Sequence, residues 1–356
     1  MSALQKGPRG PHASCPTSPA ELGLLPPCLL LCPQLCHNHT PMLEVRCPHC
    51  GLVILVPDNV QGRTGLCFGC GLQLQVPLAP EDAAPQEITY RRGEQISGRY
   101  VIKELIGRGG MGIVYRALDT LLDENVALKF MRPQRFTEKG RRVFMREAQI
   151  ARRLRHENIV AVHDVSTTAS GILYISMELL KGRSLRDFLK NHRQTRKLID
   201  VRLAVTIISQ VLAALEYAHR MVIHRDVKPE NIMLLSGEWV KVLDFGLAKA
   251  IAPDQAAQPS ASGKTKHVIG TLAYAAPEQV KRREIDSRAD LYAVGLVLQE
   301  LLTLRTPIDE PVEIPEVRND VSPSILSTLY RALKDDVADR WQHAGDFRHA
   351  LLDAFE

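Results

Sequence analysis

"GRGGMGIVYRAL", residues 107–118, can be read in two ways, and the choice decides the fold. Glycines at this spacing suit a dinucleotide-binding turn, which needs a helix to open at the last glycine. The residues after Gly112 are β-branched and aromatic, and they favour a strand. The stretch therefore reads as a strand-turn-strand flap. Its glycines, Gly107, Gly109, Gly110 and Gly112, with Arg108 and Met111 between them, let the backbone approach phosphates.

Working outward, "YVIKELI" (100–106) and "NVALKFM" (125–131) flank the flap as strands. Alternation sends Lys129 inward, and a buried lysine needs a partner. Glu147 can supply it from a helix at about residues 138–154, whose Phe144, Ala148, Ala151 and Leu154 share one face. After "ILYISMELL" (172–180) the pattern turns helical, with "LAVTIISQVLAALEYAH" (203–219) apolar at helical spacing. Strands first and helices afterwards imply two lobes, one mostly β and one mostly α.

"HRDVKPENIMLL" (224–235) crowds charged side chains between two apolar runs, a context for a rigid catalytic loop more than for a solvated turn. The chain of 356 residues is long enough for more than one domain, and its 45% apolar and 24% charged content is ordinary for a globular protein. A net charge of +5 is too small to argue for nucleic acid. The basic excess is local: residues 132–155 carry nine Arg or Lys against Glu138 and Glu147, a solvated helix face or an anion or partner patch. Residues 22–35 are apolar but broken by Pro26, Pro27 and Pro33, and no run is long enough to span a bilayer. The expected setting is cytoplasmic, with reduced thiols.

Residues 1–41 are rich in Pro, Ser and Leu and are expected to be a disordered leader, with Met42 as the expected start of the folded chain. Residues 42–78 hold "CPHCG" and "CFGCG", which place Cys47, Cys50, Cys67 and Cys70 as C-x2-C-x16-C-x2-C. That spacing suits a zinc ribbon in which four thiolates close a structural tetrahedron around Zn2+. Cys15, Cys28, Cys32 and Cys36 are too unevenly spaced for a second such site. A Pro, Ala and acid-rich linker (79–97) follows.

With "GRGGMG", "VALK", Glu147, "HRDVKPEN", "DFG" (244–246) and "GTLAYAAPE" (270–278) in this order, residues 98–352 resemble the eukaryotic-like Ser/Thr protein kinases of bacteria. The resemblance implies an α+β bilobal fold, with an N-lobe over 98–180 and a C-lobe over 181–352, and ATP with Mg2+ or Mn2+ as cofactors. It implies that Lys129 pairs the α- and β-phosphates and is held by Glu147, and that Asp226 orients the acceptor hydroxyl. Lys228 would neutralise the transferred phosphoryl, and Asn231 and Asp244 would hold Mg2+. The adenine is expected between Ile106, Val114, Ala127 and Met233, with Leu243 behind, Met177 as gatekeeper and the backbone of Glu178 and Leu180 at its edge. Arg225 would await a phosphate on Thr265, Thr271 would bond Asp226 and Lys228, and Glu278 would pair with Arg340.

One departure stands out. "IDEPVEIPEVRNDVSP" (308–323) runs quickly where the family has another helix used in substrate docking. The expected partners are ATP, protein substrates bearing Ser or Thr, and a partner of the ribbon whose identity the sequence does not give. The competing reading, a pseudokinase and ribbon acting as a scaffold on protein or nucleic acid, is disfavoured because Lys129, Asp226, Asn231 and Asp244 are all present.

Overall fold

The computed structural model describes residues 42–57, 64–67, 69–76, 88–110, 112–132, 138–246, 273–307 and 313–355. The expected leader (1–41), Met111, Thr265 and Thr271 lie outside the described residues. The chain divides into two compact units, Met1–Gln86 and Glu87–Glu356.

In the first unit, β1 (Met42–Arg46) pairs antiparallel with β2 (Val53–Pro57), and β3 (Thr64–Leu66) with β4 (Gln73–Gln75). β2 and β4 each follow a cysteine pair, and each has its partner strand ahead of those cysteines. The hairpins repeat one pattern, "CPHCGLVILVP" (47–57) against "CFGCGLQLQVP" (67–77). Val45, Ile54, Leu74 and Val76 bury themselves with Cys47 and Cys67 in a small core. Such a core is too small to hold a fold of this size without a staple.

The second unit begins earlier than the motifs suggest. Residues 88–97, read from sequence as the end of the linker, belong to the β lobe: Ile88 and Ile96 are in its core and β5 (Gln95–Ile96) pairs with β6 (Tyr100–Arg108). The Tyr90 backbone N–H donates to the Tyr115 hydroxyl at 3.1 Å, and its ring lies 4.5 Å from that of Phe130. A linker composition hid these few apolar anchors.

Next come β7 (Gly112–Asp119), β8 (Glu124–Met131), α1 (Glu138–Ala151), β9 (Val162–Thr167) and β10 (Leu173–Glu178). They complete a six-stranded antiparallel sheet in the order β5-β6-β7-β8-β10-β9. The flap is therefore the β6–β7 turn. Helix α1 seats Phe144, Ala148 and Ala151 on Met131, Leu173 and Ile175, the face expected from its periodicity.

The α lobe starts with β11 (Gly182–Ser184), α2 (Leu185–Thr195) and α3 (Val201–Ala218). Ser184 caps α2 by accepting from the Asp187 N–H, and Asp200 caps α3 through the Arg202 N–H. Strands β12 (Ile232–Leu235) and β13 (Val240–Val242) form a sheet with β11. Helices α4 (Pro277–Val280), α5 (Arg288–Thr303), α6 (Ile314–Val317), α7 (Pro323–Ala332) and α8 (Ala344–Asp353) follow. Among the described residues α3 is the one helix long and apolar enough to cross a membrane, yet ten of its residues are buried in the lobe's core. The described part of the stretch after α5, from residue 313, holds the single turn α6. Arg318, buried, ties it down by donating to the Ile199 carbonyl at 2.7 Å.

Candidate active site and metal centre

The loop between α3 and β12 is held from below by one buried carboxylate. Asp290, in the first turn of α5, accepts from the backbone N–H of His224 at 2.8 Å and of Arg225 at 2.7 Å. The His219 Nε2 lies 2.9 Å from the same carboxylate. These bonds fix Arg225 at φ 67°, a left-handed conformation that a non-glycine residue adopts only when its surroundings hold it there. Sequence reasoning missed Asp290; its one signal was an acid among the apolar positions of "RADLYAVGLVLQELLT", which it shares with Glu300.

His224, fully buried, is a brace. Its Nε2 meets the Leu243 carbonyl at 2.7 Å, its Nδ1 accepts from the Asp226 N–H at 3.2 Å, and its ring packs 4.6 Å from Phe245. Asp226 then projects between two donors. Lys228 Nζ donates to its carboxylate at 2.8 Å, and Asn231 Nδ2 reaches its Oδ2 at 3.1 Å and its carbonyl at 2.8 Å. The Leu243 N–H donates to the Asn231 carbonyl at 2.8 Å, so Asn231, just before β12, and Asp244, just after β13, are held side by side.

Lys129 points inward from β8, as alternation requires, but its described carboxylate partner differs from the expected one. The ion pair is with Asp244, whereas Glu147 was the residue named for it. Gly246, at φ 74°, brings the segment after Asp244 against Val222 and α1, where a Cβ would meet Val222 at 2.8 Å and a Glu147 oxygen at 3.1 Å. Burial raises the Asp244 carboxyl, but the charge and hydrogen bond of Lys129, helped by His224 and Lys228, outweigh it and hold the group below the usual carboxylate range.

Above these groups, Val114, Ala127, Met177, Leu180 and Leu243 gather in one apolar cluster, as expected of residues lining a flat ligand. Ile106 and Met233 fall outside it; Ile106 is 45% exposed and Met233 is half-buried in β12. A small apolar cavity lies behind Met177, bordered by Ala148, Ile175 and Phe245. In the flap, Gly112 is required by the fold, because a Cβ there would lie 2.1 Å from the Phe130 carbonyl oxygen. Gly110 is not, since a Cβ would meet no protein atom within 4 Å. Gly107 and Gly109 are also uncrowded, and Arg108 ends β6.

Arg225 borders a second cavity, with Asp226, Tyr274 and Gln279. Its Nε is buried and has no hydrogen-bond partner among the described residues. Glu278 and Arg340 form the expected pair, two parallel bonds of 2.8 Å with Arg340 fully buried.

In the first unit the four sulfur atoms of Cys47, Cys50, Cys67 and Cys70 all lie within 4.8 Å of one another. Each cysteine pair closes the same knuckle: the Gly51 N–H donates to the Cys47 carbonyl at 3.0 Å, and the Gly71 N–H to the Cys67 carbonyl at 2.7 Å. Both glycines have positive φ, 75° and 69°, which the tight turn demands. Burial raises the Cys47 thiol, but N–H donors at Cys50 and His49 and neighbouring thiols bring it down to about 6, while Cys70 is pushed up to about 12. Four converging soft donors of this kind fit a tetrahedral Zn2+.

A family model described as protein kinase domain matches residues 100–353. A probable serine/threonine-protein kinase of Streptomyces coelicolor is 38% identical over 273 residues, covering 71% of this chain and 39% of that protein. The serine/threonine-protein kinase pkn3 of Myxococcus xanthus is 38% identical over 281 residues, covering 73% and 50%. The chain thus spans half or less of the length of these curated relatives. The crystal structure of the Mycobacterium tuberculosis PknI kinase domain superposes with a TM-score of 0.61 at 30% identity, covering 75% of this chain and all of that one. The braced loop, the β flap and these likenesses agree: the chain belongs to the protein kinase family, with bacterial serine/threonine kinases among its relatives.

Proposed function

We propose that the chain transfers the γ-phosphoryl group of ATP to serine or threonine hydroxyls of proteins, itself included. The observation that carries this is the placement of Asp226 between Lys228 and Asn231, with Asn231 one backbone hydrogen bond from the segment that bears Asp244. Asp226 accepts the hydrogen bond of the incoming hydroxyl and aims its oxygen, while Lys228 offers positive charge to the group in flight. Lys129 steadies the non-transferred phosphates, and the uncrowded Gly110 lets the flap close over them. Asn231 and Asp244 are the oxygen donors suited to Mg2+ or Mn2+, which when bound neutralises the developing charge. The adenine rests on the Val114, Ala127 and Leu243 cluster, against the backbone of Glu178 and Leu180.

The test is the intact mass of the dephosphorylated chain after incubation with ATP and Mg2+, beside an Asp226→Asn control. Phosphate added to the wild type alone supports the reading. No addition in either, with the fold and ATP binding intact, favours a scaffold.

Phosphorylation of Thr265 is proposed as the switch, with Arg225 as receiver, because the buried Arg225 Nε beside a cavity has a donor to spare. Thr265→Ala is expected to lower the rate on an added protein substrate about ten-fold or more, the loss typical of an unordered activation segment; an unchanged rate would remove the switch.

The cysteine cluster is proposed to hold one structural Zn2+, with the ribbon serving a partner protein. Val53 and Leu55 support the second point: both are exposed where the equivalent positions of the repeat carry Gln73 and Gln75. Elemental analysis should find about one zinc per chain. Cys67→Ser should lose it and make the ribbon, but not the kinase unit, sensitive to protease.

A further inference from the structure

Lys241 lies in the middle of β13, three residues before Asp244, and its side chain leaves the strand towards the β lobe. Its Nζ donates to Glu178 Oε1 at 2.7 Å and to the Ile159 carbonyl at 3.2 Å. Glu178 is the last residue of β10, where the chain passes from one lobe to the other. Its carboxylate also accepts the Ala161 N–H at 2.7 Å, and its own N–H donates to the Ala161 carbonyl at 3.0 Å. Both side chains are largely withdrawn from water, 16% and 28% exposed, so this is a screened charge pair anchored at each end by backbone.

We infer that Lys241 is a positioning residue for ATP, a strap that sets the distance between the backbone meeting the adenine edge and the carboxylate facing the phosphates. This rests on the ATP reading above. The connections run in one circuit. Residues 158–161 are laced to β13 through Val160 N–H to Val242 carbonyl, 3.0 Å, and Val242 N–H to Asn158 carbonyl, 2.8 Å. On its other edge β13 places Lys241 opposite Met233 of β12. One residue past β13, the Leu243 N–H donates to the Asn231 carbonyl at 2.8 Å. The lobe crossing, Asn231 and the start of the Asp244 segment are thereby referred to one strand. The Lys241–Glu178 bond is the side-chain tie between that strand and the crossing. The circuit meets Asp226 through Asn231, whose Nδ2 donates to its carbonyl and Oδ2, whereas Lys241 itself ties to the crossing, so the strap bears first on nucleotide placement.

Such a residue touches neither adenine nor phosphate in this arrangement, and its loss should show as a split between constants. In the full chain, Lys241→Met is expected to raise the KM for ATP roughly three- to ten-fold, the loss typical of one shielded charge-assisted bond, with the KM for a protein substrate unchanged. Lys241→Arg, which can still reach Glu178, should restore most of it. Glu178→Gln, which keeps an acceptor for the Ala161 N–H, is the second variant, and the double variant should be no worse than the poorer single one. Direct titration with a non-hydrolysable ATP analogue accompanies each kinetic measurement. An unchanged KM for ATP in both single variants overturns the strap, as does a higher kcat at unchanged KM, which would mark the tie as a restraint on turnover. A wild-type chain that fails to bind the analogue overturns the underlying ATP reading instead, and the two failures are thereby told apart.

Discussion

Asp226→Asn should lower phosphoryl transfer by about 10²–10⁴-fold, the range spanned by a lost general base or hydroxyl-orienting group. The substitution keeps the shape of the side chain and one acceptor oxygen, so the bond from Lys228 or that from Asn231 can survive. The His224 and Asp290 brace does not involve the Asp226 carboxylate, and the loop should stay in place. Affinity for ATP is therefore expected to change little while kcat collapses. Single-turnover transfer to an added protein, followed with labelled ATP, measures it. A variant within ten-fold of wild type would mean that Asp226 is not the residue that aims the hydroxyl.

Arg340→Ala should cost about 3–5 kcal/mol of stability, because it strands the Glu278 carboxylate in a buried site. Arg340 is fully buried, grips Glu278 with two bonds, and donates also to the carbonyls of Lys334 and Asp335. At about 2–4 °C per kcal/mol the melting temperature should fall by about 10 °C. The pH dependence has a definite sign. Burial raises the Glu278 carboxyl, but the Arg340 hydrogen bonds outweigh it and hold the folded value below the ordinary one. The pair's stabilisation is thus complete above the unfolded glutamate value and disappears as the pH falls through the lowered folded one. Melting curves of wild type and variant should therefore lie far apart at neutral pH and converge in acid. Equal melting at neutral pH would remove the pair from the core's support.

Much of this was legible in the sequence because it is carried by local pattern. Strand alternation turned Lys129 inward, helical spacing gave α1 its buried face, and paired cysteines with following glycines marked the knuckles. What escaped depends on contacts between distant segments. Asp290 sits more than sixty residues from the loop it holds, and its role shows only in the bonds to His224 and Arg225. The Lys129–Asp244 pair joins residues more than a hundred positions apart, which no residue type announces. Residues 88–97 were lost among linker-like neighbours because only Ile88, Tyr90 and Ile96 anchor them. Lys241 carries no signal in the sequence, because its partner Glu178 lies more than sixty residues away.

The two glycines at the end of the flap are kept by different forces, and that gives them different evolutionary lifetimes. Gly112 is fixed by the Phe130 carbonyl of its own sheet and must persist in any descendant that still folds. Gly110 has no such neighbour, so selection can retain it only through something that enters from outside. In a lineage that abandoned nucleotide binding and kept the scaffold, drift would erase Gly110 early and leave Gly112 standing. The state of that one position in a descendant would then record whether its ancestors went on using the site.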